Sequence, residues 1–323
     1  MKNIVRNIIT HILDFLLIPF TIVAAIWFKL LRKYNVGLFR TISPFSKIIF
    51  QKVGVFPIID QYYDPYFNRN NLNPHQKVDR KLPGINFNID KQLDLLSKFN
   101  FNSEIIEISK LKENQLNYSF LKGPFLAGDS EILFNIIRLN KPKKIIEIGC
   151  GHSSLMIQHA IKYNKFEDQE YKCKHICIEP YEAGWVEKLD VEFIKKKVED
   201  LDLELFKSLE SGDILFIDST HIIRPKGDVL FEYLELLPNM KSGVLVHIHD
   251  IFSPKDYLDE WVNDGVSFWN EQYLLDAFLS CNKEFEIICA LNFLKHNYYS
   301  ELAAKCPMIK EKSEPGSFWI VKT

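Results

Sequence analysis

The chain lacks the marks of several protein classes. It has no C-x-x-C pair; its six cysteines, Cys150, Cys173, Cys177, Cys281, Cys289 and Cys306, are scattered. That excludes a disulfide framework and a cysteine-rich zinc site, and it points to a reducing compartment. It has no strong charge of either sign, with a formal net charge of -2, so no global basic field points to nucleic acid. It has no internal repeat and no low-complexity tract. The third glycine of a dinucleotide fingerprint is also missing: after Gly149 and Gly151 that position is Ser154, which makes a pyrophosphate-binding helix an unfavoured reading. What remains is globular in proportion, 47% hydrophobic and 25% charged over 323 residues, enough for one large domain or two small ones.

The chain is organised around Lys144-Ile145-Ile146-Glu147-Ile148-Gly149-Cys150-Gly151-His152-Ser153-Ser154. The apolar run reads as a buried parallel strand, the two glycines as a sharp turn, and a helix begins at Ser153 or nearby. Glycine lets the backbone turn and lets a ligand lie against it. The free N–H groups at the helix start face the same spot. Glu147, just before the turn, is placed to take a cationic or hydrogen-bonding group. A strand–Gly-x-Gly–helix unit of this kind forms a cofactor crevice at the carboxyl end of a sheet.

From residue 120 onward strands alternate with helices, which predicts an α/β fold with a mostly parallel, doubly wound sheet. Asp129 is a candidate N-cap for a helix carrying Ile132, Leu133, Ile136 and Ile137. Lys174 to Ile178 is a second strand ending in Glu179, where a carboxylate holds ribose hydroxyls. Val191 to Ile194 is a third, followed by Glu199 and Asp200, either of which is placed to meet an adenine amino group. Asp213 to Ile217 is a fourth, ending in Asp218-x-x-His221. Gly243 to Phe252 is a fifth, carrying His247, His249 and Asp250. Trp269-Asn270-Glu271-Gln272-Tyr273 opens a helix, and Phe285 to Phe293 and Ser317 to Lys322 are the last two strands. Before residue 120, Asp90 to Phe99 has helical spacing. The aromatic run Gln61 to Phe67 and the asparagine-rich loop Asn68 to Pro74 read as packing and loop rather than as a pocket cap.

Ile12 to Leu31 is apolar and about long enough to cross a bilayer. Lys29, Arg32, Lys33 and Arg40 follow it, against Lys2 and Arg6 before it, which puts its C-terminal side in the cytoplasm. A spanning helix, a kinked helix in one leaflet and a core helix all fit; membrane attachment is the expectation. No small-x-small site marks a cleaved signal peptide.

The Glu147-Ile148-Gly149-Cys150-Gly151 form, then Glu179, Asp213 to Asp218 and Gly243 to Asp250, in that order, resembles the class I S-adenosylmethionine-dependent methyltransferases. The resemblance implies a Rossmann-like sheet of seven strands with the last antiparallel, in a domain spanning 118–323, after an N-terminal membrane helix (1–38) and an extension (39–117). It implies S-adenosylmethionine as cofactor, held by Glu147, Gly149, Gly151, Ser153, Glu179, Glu199 and Asp218. The segment Val246 to Phe252, with Trp261 and Trp269 to Tyr273, is similar to a bacterial subgroup of uncharacterised methyltransferases. That subgroup is related to small-molecule and sugar O-methyltransferases, and the first 115 residues are similar to its N-terminal extension.

The expected catalytic cluster is Asp218, His221, His249 and Asp250. Catechol-type relatives hold a divalent cation with an Asp on the fourth strand and an Asp-Asn pair after the fifth. Here the pair is His249-Asp250, so the expected ligand set is Asp218, His249 and Asp250, with imidazole favouring manganese, iron or zinc over magnesium. Alternatively His249 or His221 is a general base. The expected activity is methylation of a hydroxyl on a small molecule, a sugar or a lipid-linked glycan. The alternatives are a catalytically silent cofactor-binding scaffold on the membrane and an NAD-dependent oxidoreductase.

Overall fold

The computed structural model describes every residue except 1, 35–43, 56–57, 60–64, 66–77, 112–115, 122, 182–183 and 265–266. Arg40, most of the aromatic run at 61–67 and the loop Asn68 to Pro74 therefore lie outside the described residues. The chain divides into two compact units, Met1–His75 and Gln76–Thr323.

The first unit carries helices α1 (Lys2–Tyr34) and α2 (Pro44–Val53). Within α1, Arg6–Leu31 has a mean hydropathy of 2.1 and no share of its apolar window is buried in the protein. At about 1.5 Å per residue such a stretch exceeds the ~30 Å hydrocarbon core of a bilayer. Its threonine hydroxyls are satisfied one turn back, Thr10 donating to the Arg6 carbonyl at 2.9 Å and Thr21 to the Leu17 carbonyl at 3.0 Å.

The second unit is a seven-stranded sheet. Its strands are β1 (Lys144–Ile148), β2 (Lys174–Ile178), β3 (Glu192–Ile194), β4 (Ile214–Ile217), β5 (Leu245–Ile248), β6 (Phe285–Ala290) and β7 (Phe318–Lys322). The order is β3-β2-β1-β4-β5-β7-β6, and only β7 runs antiparallel to its neighbours. The central strands are apolar at nearly every position because helices cover both faces. On one face Ile145, Ile214 and Phe216 pack against α5 (Asp129–Asn140) and α6 (His152–Glu167). The same core takes Leu96 and Ile105 from α3 (Ile89–Lys98) and α4 (Asn102–Ser109). On the other face Ile146, Ile148, Leu215 and Ile217 meet Val229, Leu236 and Leu275.

The chain runs from β1 outward through β2 to β3 and then crosses back to β4 on the other side of β1, so the order reverses between β1 and β4. That is where ligands bind in open α/β sheets. One expected element differs. The sixth strand ends at Ala290, and Leu291–Asn297 is helical. Leu291 and Leu294 are both buried, a three-residue spacing that a short apolar run does not distinguish from a strand.

Asp213 clasps the opposite edge of this junction. Its Oδ1 accepts the N–H groups of Lys143 (2.9 Å) and Lys144 (2.8 Å), and its Oδ2 accepts that of Glu210 (2.9 Å). Asp213→Ala leaves three donors without an acceptor, at ~1–3 kcal/mol for each that stays buried. Urea unfolding followed by tryptophan fluorescence is expected to show a loss of about 3 kcal/mol, and a smaller one for Asp213→Asn. No change in midpoint would mean that water replaces the clasp.

Candidate active site

The turn after β1 is fixed by its neighbours. The Asp218 N–H donates to the Ile148 carbonyl at 2.9 Å, and the Gly149 N–H to the Ile178 carbonyl at 3.0 Å, so the tips of β1, β2 and β4 are tied. Gly149 has a φ of +80°, and a Cβ there would lie 1.8 Å from the Asp218 carbonyl oxygen. The glycine is thus required by the adjacent backbone. Gly151 is the opposite case, with nothing within 4 Å of a Cβ.

Glu147 is fully buried. Alternation along β1 puts it on the face opposite Ile148. Its carboxylate accepts the hydroxyls of Ser153 (2.5 Å) and Ser154 (2.7 Å) at the start of α6, and meets His175 Nε2 at 2.9 Å. Burial pulls the His175 pKa down, but Cys177 and Glu147 overcome it and raise it to about 10. Glu147 and Ser153 therefore bind each other and hold the turn from beneath.

The crevice at the switch point is a cavity of about 180 Å³ lined by Gly149, Glu179, Glu199, Asp218, Ser219 and Thr220 among others. The structure brings Gly149, Glu179, Glu199 and Asp218 together here; Glu147, Gly151 and Ser153 do not line it. Burial and the nearby charge of Asp218 push Glu179 up, against the hydrogen bond it accepts from the Tyr181 N–H at 2.9 Å.

Asp218 also faces a second group. His221 Nε2 stands 3.4 Å from Asp218 Oδ1 and 3.5 Å from Asp250 Oδ2. Donor atoms of Asp218, His221 and Asp250 all lie within 4.8 Å of one another. His249 sits on the far side, its Nε2 3.5 Å from Asp250 Oδ1 and its ring 5.0 Å from that of Phe125. The convergent imidazole is therefore His221, while the sequence expectation placed His249 in the ligand set. The reason is strand alternation: His247 and His249 share the face toward α5, with ring centroids 5.5 Å apart. His247 is a core residue, stacked on Phe216 at 4.0 Å and bonded to the Ser317 hydroxyl at 2.9 Å. Burial, then the charge of His249, hold it well below the usual histidine range.

His221 is held by a residue that sequence reasoning did not single out. Its Nδ1 donates to Glu271 Oε2 at 2.8 Å, and the Tyr233 hydroxyl donates to Glu271 Oε1 at 3.1 Å. The His221 carbonyl accepts the N–H groups of Asn270 (2.9 Å) and Glu271 (3.2 Å). These bonds fix His221 at a φ of +60°; Asp250 has a φ of +56°. Two non-glycine residues in the left-handed region at one site are held there by their surroundings at some cost in strain. Burial opposes protonation of His221, but the carboxylates of Asp218 and Glu271 raise it well above its ordinary value. Glu271 opens α9 (Glu271–Leu279), following α7 (Leu203–Lys207) and α8 (Asp228–Phe231). A first-turn glutamate is usually a solvated complement to the helix dipole, so nothing in the sequence separates this buried one from that common case.

Residues 146–251, which contain every strand tip just described, match the family model of a methyltransferase domain. The stretch that carries the strand tips thus resembles a methyltransferase domain. An uncharacterized protein of Archaeoglobus fulgidus is 29% identical over 145 residues, 43% of this chain and 64% of that protein. The chain thus spans 64% of the length of that curated relative. Among solved structures, an O-methyltransferase from Bacillus cereus in complex with SAH aligns over 71% of this chain and all of its own, at 12% identity and a TM-score of 0.40. A likeness that loose transfers no residue roles.

The crevice would suit the cofactor of such a domain, S-adenosylmethionine, by its own chemistry. Two carboxylates, Glu179 and Glu199, line a cavity that would receive hydroxyls and an amino group, and the open space at Gly151 leaves the start of α6 accessible. Calorimetric titration with S-adenosylhomocysteine separates the two glycines. Gly151→Val is expected to keep the melting temperature and to weaken binding by at least about ten-fold, because a branched side chain would fill the open space beside the start of α6. Gly149→Val is expected to lower the melting temperature itself. Unchanged affinity in Gly151→Val would remove that turn from the cofactor site.

Proposed function

We propose that the protein transfers the methyl group of S-adenosylmethionine to a hydroxyl of a small-molecule acceptor, with sugars and lipid-linked glycans in that class. The observation that carries this reading is the double position of Asp218. It lines the cofactor crevice and also meets His221, which reaches Asp250. Asp250 in turn lines a second cavity of about 410 Å³ together with His249. In this reading the donor and acceptor sites are linked through Asp218, His221 and Asp250.

S-adenosylmethionine supplies the methyl as a sulfonium substituent, and a hydroxyl attacks it poorly until deprotonated. Asp218, His221 and Asp250 are the residues that would hold a divalent cation, whose charge would stabilise the deprotonated oxygen. Glu271 accepts the hydrogen bond from His221 Nδ1, which orients Nε2 toward the two aspartates; a carboxylate behind a ligating histidine is the usual support of such a site. In the metal-free version His221 or His249 takes the hydroxyl proton, and Asp218 and Asp250 steady the resulting imidazolium.

Calorimetric titration with Mn²⁺ tests the first version without needing the acceptor. Wild type is expected to bind one ion. Asp218→Asn and Asp250→Asn should abolish binding, and Glu271→Gln should weaken it by about 10–100-fold, as loss of a supporting partner does. His249→Ala should bind normally. Absence of Mn²⁺ binding in the wild type would leave the base version, with chelator-insensitive turnover and a pH–rate limb that vanishes in His221→Ala or His249→Ala.

The same proposal places the protein on a membrane through α1, with the catalytic domain in the cytoplasm, where the cofactor is found. The exposed apolar surface of Arg6–Leu31 supports it, since a soluble helix would bury one face. The full chain is expected to sediment with membranes and to resist high-salt extraction, whereas a chain starting near Phe39 should be released. Full-length protein in the supernatant without detergent would overturn the membrane reading.

A further inference from the structure

The cavity beside Asp250 has two walls of unlike chemistry. One comes from the segment before α5, with Phe120, Leu121, Pro124 and Leu126. Leu121 is 80% exposed and Leu126 40%, so this wall offers apolar surface that nothing among the described residues covers. The other comes from the loop before β7, with Lys310, Lys312 and Ser313. The acids of the cavity are already engaged. Asp129 accepts the Ser317 N–H at 2.7 Å. Glu314 is bound by Asn292 (3.0 Å), Lys295 (2.8 Å) and His296 (2.9 Å). Asp250 faces His221 and His249. Lys310 and Lys312 have no ion pair among the described residues, which leaves two cationic groups opposite an apolar wall. A neutral polyol would use neither wall well. A wholly apolar acceptor would leave the lysines to water alone.

Resting on the reading of Asp250 as the acceptor end of the site, we propose that the acceptor is an amphipathic hydroxyl compound bearing an oxyanion, such as a phosphate ester. Its hydroxyl sits at Asp250, its apolar part lies on Phe120, Leu121 and Leu126, and its oxyanion binds Lys310 and Lys312. Lysine serves as a point-charge partner for phosphate, and an apolar patch beside it selects against inorganic anions.

The test is calorimetry on the full chain in phosphatidylcholine nanodiscs, with and without saturating S-adenosylhomocysteine. Three soluble probes are compared: phenyl phosphate, inorganic phosphate and phenyl glucoside. Phenyl phosphate is expected to bind at least about ten-fold more tightly than either of the others, with an affinity that falls as salt is raised. Lys310→Ala/Lys312→Ala and, separately, Leu126→Asp are expected to lose that preference while S-adenosylhomocysteine and Mn²⁺ titrations stay unchanged. Adding phosphatidic acid to the nanodiscs separates two sources of the same chemistry. Competition with phenyl phosphate assigns the oxyanion to a lipid headgroup, and no competition assigns it to a free compound. Equal binding of phenyl glucoside, no binding of phenyl phosphate, or an unchanged preference in the double-lysine variant would overturn the proposal. Failure of S-adenosylhomocysteine to bind would instead overturn the methyl-transfer reading, because the probe selectivity is read in its absence as well.

Discussion

The hydrogen bond between His221 and Glu271 is the constraint on which the site depends. Both side chains are buried and their atoms are 2.8 Å apart. A buried carboxylate without a donor would be costly, and Glu271 is satisfied only because His221 and Tyr233 both reach it. The bond joins the loop after β4 to the start of α9, two segments separated by 50 residues. It sets which nitrogen of His221 faces Asp218 and Asp250. It also accounts for the left-handed backbone at His221, whose carbonyl is claimed by the first N–H groups of the same helix.

A second constraint acts at the cofactor end. The close approach of β4 to the turn after β1 leaves no room for a side chain at Gly149. That approach brings the Asp218 side chain, one residue past β4, into the crevice with Glu179 and Glu199. Beneath the turn, Glu147, Ser153, Ser154 and His175 form a closed polar network in the core. Such networks are rigid when fully satisfied. Here the network fixes the start of α6, and so the direction in which its free N–H groups point.

The two units differ in where their apolar side chains lie. The sheet of Gln76–Thr323 buries apolar side chains on both faces under helices. Helix α1 of Met1–His75 shows the reverse pattern, with apolar side chains exposed along most of its hydrophobic stretch. That exposed apolar surface is what the proposed membrane placement of α1 rests on.

The sequence by itself determined the sheet. Apolar runs closed by glycines or acids located all seven strands, and β-α alternation gave the parallel, switched order, because strands buried on both faces have no polar alternation to blur them. It also determined that Glu179 and Asp218 each lie just past a parallel strand, where a residue must emerge at the carboxyl edge of the sheet. Only the tertiary structure decided which polar groups meet. Alternation sent Glu147 beneath the turn and His247 and His249 toward α5, while a left-handed residue after β4 turned His221 toward Asp218 and Asp250. Glu271 reached the site from 50 residues away. Pairings of that kind depend on where loops lie in space. A single buried carboxylate reads the same in the sequence as a solvated one.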